Sequence, residues 1–136
     1  KSDKLYLPYH TPGTSASRHI EIMFLSSLPF VEVEKNRLDF DEYLDKMSKF
    51  KYTLCLSGAG HDTHRNYESL LLGCVPIMLT TPLKMVFDFY DLPCIFLDRW
   101  SQLDEKLFTD KKPDFNLTDF FNVNNHKERV INYAKN

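Results

Sequence analysis

The segment from Tyr52 to Ile77 constrains the fold of this chain more than any other. Tyr52–Ser57 is a run of strand formers, and Gly58 and Gly60 interrupt it. A helical pattern then runs from Asp62 to about Leu72, ahead of a second apolar run, Val75–Leu79. Gly73 and Pro76 end the helix, because glycine accepts the left-handed cap and proline cannot continue a helical hydrogen-bond ladder. Two strands joined by a helix are expected to lie parallel, since parallel neighbours need a crossover connection.

The same alternation recurs along the chain. Lys4–Leu7, Phe30–Glu34 and Cys94–Leu97 read as further strands. Ser15–Leu28 carries Ile20, Phe24 and Leu28 at spacing four with Met23 beside them, and Asp41–Phe50 carries Tyr43, Leu44, Met47 and Phe50 on one stripe. Both read as amphipathic helices. The expected fold is therefore α/β, a Rossmann-like three-layer sandwich with a mostly parallel sheet. With 136 residues, 43% of them hydrophobic, the chain suits one domain spanning 1–136. The tail from Asp110 to Asn136 is polar and offers one more helical pattern through Arg129, Val130 and Tyr133. Ligands of such sheets bind beyond the carboxyl ends of the strands, which directs attention to the loops after Leu7, Glu34, Ser57 and Leu79.

Charge and composition narrow the partners. A formal net charge of −2 and a pI near 6.2 give no electrostatic reason to expect nucleic acid or an anionic membrane surface. No apolar run approaches the roughly 18 to 20 residues that span a bilayer. Cys55, Cys74 and Cys94 each sit in an apolar run without CxxC spacing, so buried free thiols are expected rather than a zinc or redox site. Asn116-Leu117-Thr118 fits a glycosylation acceptor pattern, which chance also produces in an Asn-rich chain.

The glycine loop and the helix after it carry the chemistry. Gly58 and Gly60 let the backbone approach a ligand, and Asp62 or Thr63 caps a helix whose first amides face the same place, a setting that suits a phosphate. On the helix, Tyr67, Leu70, Leu71 and Cys74 form the expected buried stripe, with Arg65, Glu68 and Ser69 displayed on the other side. A guanidinium offers a forked, permanently charged partner for a diphosphate, and a carboxylate can accept the hydroxyl protons of a ribose. Taken as isolated residues, Arg65 and Glu68 read first as a surface ion pair at i, i+3.

The whole segment adds to this. Leu54-Cys55-Leu56, Gly58, Gly60, Asp62-Thr63-His64-Arg65, Tyr67-Glu68 and Leu72-Gly73-Cys74-Val75-Pro76-Ile77 resemble the donor-binding segment of exostosin-like glycosyltransferases. The similarity is strong over about residues 50 to 80 and weaker from Lys4 to Arg18. It implies one half of a GT-B enzyme, the carboxyl-terminal, nucleotide-sugar-binding domain. The amino-terminal acceptor domain would then be missing from this chain. Carried over, Arg65 touches the diphosphate of a UDP- or GDP-sugar, Glu68 its ribose, and Ser57–Gly60 with Asp62, Thr63 and His64 surround the nucleotide or sugar. Arg18 adds a second positive charge near the leaving diphosphate, and His10 lines the same cleft. The acceptor would be a glycan or glycoprotein, and the family's compartment the Golgi lumen, although this segment itself leaves the cytoplasm open.

No metal is expected, because fixed cations and helix-end amides can stabilise a departing diphosphate. Asp39-Phe40-Asp41 matches an Asp-x-Asp metal motif on paper but reads as a helix cap, and His61 with His64 and Asp62 lacks a further ligand. The loop has no third glycine of a dinucleotide fingerprint and no Gly-Lys-Ser/Thr phosphate loop, which weighs against dehydrogenase and P-loop functions. The alternative from another class is a non-catalytic Rossmann-like interaction module.

Overall fold

The computed structural model describes residues 1–10, 16–56 and 64–105. Among them, five strands and four α-helices alternate: β1 (Ser2–Leu7), α1 (Ala16–Ser26), β2 (Val31–Val33), α2 (Phe40–Met47), β3 (Phe50–Leu54), α3 (His64–Leu71), β4 (Val75–Leu79), α4 (Leu83–Phe89) and β5 (Ile95–Leu97). A single 3-10 turn, Trp100–Gln102, follows. The strands form one sheet in the order β2-β1-β3-β4-β5, with every pair parallel. The expected tail helix through Arg129 and the Asn116 triplet lie outside the described residues.

The topology explains the layers. The chain steps from β1 to β2 in one direction and from β2 through β3 and β4 to β5 in the other, and right-handed crossovers then put α1 on one face and α2, α3 and α4 on the other. Side chains follow the pleat. Leu5, Leu7, Tyr52, Leu54, Val75 and Ile77 pack with Leu25 of α1. Tyr6 packs with Met47 of α2, and Cys55 and Met78 pack with Leu70 of α3 and Phe87 of α4. The molecule is a three-layer Rossmann-like sandwich, and its sheet is parallel throughout.

Two helix faces differ from expectation. On α1, Ile20 and Met23 are 65% and 61% exposed and Phe24 is 40% exposed, while Leu25 is fully buried and Ile22 and Leu28 pack beside it. Two apolar stripes overlap on this helix, and the sheet takes the one through Ile22 and Leu25 rather than the one through Ile20 and Phe24. On α3, Leu71 is exposed and the polar Asn66 and Ser69 are buried. Ser69 is tolerated there because its hydroxyl donates to the Asn66 carbonyl at 2.8 Å.

The α3 stop is as expected. The Cys74 amide donates to Ser69 O at 2.8 Å and the Gly73 amide to Leu70 O at 3.1 Å, a Schellman arrangement with Gly73 at φ 72°. Lys1 Nζ donates to the carbonyls of Leu72 and Gly73 at 2.9 and 3.1 Å, which satisfies the end of the helix from outside. Asp39 is the N-cap of α2 and its carboxylate accepts the Glu42 amide at 2.9 Å, as the capping reading required. Helix α4 is an addition to the expected elements. Of the aromatics around it, Phe87 is fully packed, edge-on to Phe96 at 5.8 Å, while Phe89 and Tyr90 are half-buried against each other at 4.8 Å.

Candidate functional site

The strand order reverses between β1 and β3, so the helices leaving their carboxyl ends diverge to opposite faces and open a crevice, the usual ligand position in such sheets. Beyond β1 the chain continues as Pro8, Tyr9 and His10, and beyond β3 as Cys55 and Leu56. Arg18 lies in the first turn of α1 and Arg65 in the first turn of α3. Both helices start at this edge, and their arginines converge on it.

His10 ties the two strand ends together. Its Nδ1–H donates to the Pro8 carbonyl at 2.7 Å, and its Nε2 accepts the Leu56 amide hydrogen at 3.3 Å. Both nitrogens are thereby used by backbone groups, and the ring is buried. Burial, and after it the charges of Arg65 and Arg18, push its pKa down to about 3. The imidazole is neutral at physiological pH and holds the floor of the crevice instead of offering a free nitrogen to a ligand.

Arg65 is half-buried, and one Nη2–H donates to the Tyr9 carbonyl at 3.1 Å. Among the described residues, its Nε is buried without a hydrogen-bond partner. Arg18 is close enough that the charge of Arg65, second only to burial, lowers its proton affinity, with Glu21 acting in the opposite sense. Two guanidinium groups that repel each other beside a neutral histidine form a positive locus that an anion would relieve.

Glu68 does not pair with Arg65. Among the described residues, no carboxylate lies within ion-pair distance of Arg65, and the Glu68 carboxylate instead accepts the Tyr43 hydroxyl at 2.8 Å. The surface-pair reading of Arg65 and Glu68 is thus not what the geometry contains. Burial, then the bond and charge of Glu68, push the Tyr43 phenol far above its ordinary range, so it stays a donor. One strand further out, Glu34 after β2 accepts the Tyr6 hydroxyl at 3.3 Å and faces Lys46 Nζ at 3.1 Å.

Of the residues expected at the site, Arg18, Arg65, His10 and Glu68 gather around this edge. Ser57, Gly58, Gly60, Asp62 and Thr63 lie outside the described residues, as does the side chain of His64. The sequence reading missed the participation of Tyr43 and Tyr9. Tyr43 sits on the apolar stripe of α2 and was legible only as packing, and Tyr9 contributes a carbonyl, which no side-chain pattern signals.

Other features are accounted for more simply. Among the described residues no group of three His, Cys, Asp or Glu side chains could hold a metal ion, and no helix is long and apolar enough to cross a membrane. The three cysteines are free, Cys55 and Cys74 buried and Cys94 half-buried. A cavity of about 330 Å³ opens at the opposite, amino-terminal end of β1, lined by Ser2, Asp3, Lys4, Pro29, Phe30 and Glu105. Lys4 is the one cation in that lining, which also holds the acidic Asp3 and Glu105, so the cavity lacks the two arginines of the β1/β3 edge. No protein-family model matches the chain, and no curated protein matches it.

Proposed function

We propose that this chain is the donor-binding domain of a glycosyltransferase, holding a nucleoside-diphosphate sugar at the β1/β3 crevice. The observation that carries the reading is the convergence of Arg18 and Arg65 on the strand-order reversal, with Arg65 unpaired by any described carboxylate. Glycosyl transfer breaks the bond between the anomeric carbon and a phosphate oxygen, and the electron pair leaves with the diphosphate. Two fixed guanidinium groups beside the α3 amino terminus stabilise that charge as it develops. The acceptor hydroxyl forms the new bond to the anomeric carbon, and its proton passes to a base supplied by the other half of the enzyme. The resemblance of residues 50 to 80 to exostosin-like donor segments supports the same assignment, with Glu68 toward the ribose.

Calorimetric titration of the chain with UDP and GDP, with and without a chelator, tests this. Binding of one nucleotide that survives the chelator and is lost in Arg65→Ala supports a donor site. A folded sample that binds neither points to the other class, a non-catalytic α/β module.

A further inference from the structure

Arg65 and Glu68 are three residues apart on α3, a spacing at which opposite charges ordinarily meet. They do not meet because each is held by something else. The Tyr9 carbonyl accepts an Nη2–H of Arg65, and the Tyr43 hydroxyl, reaching over from the first turn of α2, donates to Oε2 of Glu68. We propose that Tyr43 is a positioning residue of the donor site: it holds Glu68 away from Arg65, leaving the guanidinium for the diphosphate and the second carboxylate oxygen for a ribose diol.

This inference rests on the donor-binding reading and deepens it. Glu68 has no partner besides Tyr43 among the described residues, so Oε1 is available to accept hydroxyl protons. Tyr43, Glu68 and Arg65 share one neighbourhood, since the charges of both Glu68 and Arg65 act on the phenol. If Tyr43 lost its hydroxyl, Glu68 would be free to turn toward Arg65, three residues away on the same helix. The carboxylate would then neutralise the anion site and abandon the sugar, two losses from one removed oxygen.

The test is calorimetry of the whole chain with UDP and GDP and with their 2′-deoxy counterparts. The wild type is compared with Tyr43→Phe, with Glu68→Gln and with the double variant. For the nucleotide that binds, the wild type is expected to prefer the ribose form by about tenfold, the worth of one hydrogen bond to a charged acceptor. Tyr43→Phe should bring that ratio close to one and weaken both forms by several-fold. Adding Glu68→Gln to Tyr43→Phe should restore the lost diphosphate affinity while the ratio stays near one, because a neutral amide cannot neutralise Arg65. A merely structural role for Tyr43 would weaken both forms and leave the ratio intact, and that result overturns the inference while the donor site stands. A wild type that binds ribose and deoxy forms equally overturns it too. Absence of binding by a folded wild type removes the donor site itself, and the role of Tyr43 with it.

Discussion

The imidazole of His10 and the amide of Leu56 join the ends of β1 and β3 by a 3.3 Å hydrogen bond across the point where the sheet changes direction. The partner nitrogen is committed to Pro8, so the ring must be neutral for both bonds to exist.

That requirement predicts a pH dependence of stability. The folded pKa of His10 is depressed to about 3 from 6.5. Between those values the unfolded chain binds a proton that the native chain refuses. The contribution is therefore fully present above about pH 6.5 and is lost as pH falls toward 3, at up to about 1.4 kcal/mol per pH unit. Urea midpoints between pH 7.5 and 4.5 should fall in the wild type and fall much less in His10→Gln. That variant starts lower at pH 7.5, by about 1 to 3 kcal/mol, if the Leu56 amide loses its acceptor. Parallel curves for the two proteins would show that the ring is not held neutral.

The face that α1 turns to the sheet gives a second prediction. Leu25 is fully buried against Leu5 and Leu7, whereas Ile20 and Met23 are mostly exposed. Leu25→Ala should destabilise by about 2 to 5 kcal/mol through lost burial and the cavity left behind. Ile20→Ala and Met23→Ala should stay within about 0.5 kcal/mol. Chemical denaturation of the three variants decides it, and the reverse ranking would mean that the other stripe faces the core.

These residues also show what the sequence could and could not reveal. The strand–helix alternation was legible because each element has the composition and the stop signals its geometry demands, as at Gly73, and parallel pairing followed from the crossovers. The face of α1 was not, because Ile20-Phe24 and Ile22-Leu25 are both apolar rows on one short helix and only the sheet chooses between them. On α3 the polar Ser69 was expected outside, yet it lies buried, as does Asn66, with the Ser69 hydroxyl satisfied by a backbone carbonyl. At the site, Arg65 and Glu68 were recognisable as chemistry. Their separation was not, since it depends on Tyr43 arriving from another helix and on a carbonyl of Tyr9.

The thiols should be inert while the protein is folded. Burial pushes Cys55 up to about 12 and Cys74 up to about 11, and holds Cys94 well above the usual thiol range. At pH 8 a thiol with a pKa near 11 is thiolate in only about one part in a thousand, and for Cys55 and Cys74 burial blocks access as well. Labelling with a disulfide reagent should therefore be slow in the native state and complete in denaturant. Fast native labelling of one cysteine would identify a local opening of the strand that carries it.

The last prediction follows from the repulsion between Arg18 and Arg65, which costs the unliganded fold something that an anion returns. An anion that binds the native state alone stabilises it by mass action, about 2.7 kcal/mol at one hundred times its dissociation constant. Inorganic pyrophosphate should therefore raise the melting temperature of the wild type in a saturable way, beyond chloride at matched ionic strength. The comparison with chloride matters because general screening also relieves like-charge repulsion, though without saturation. Arg18→Ala should melt no lower than the wild type without the anion, and should gain less from pyrophosphate. If pyrophosphate and chloride act alike on both proteins, the two guanidinium groups do not form a site, and their proximity at the strand ends has no bearing on a diphosphate.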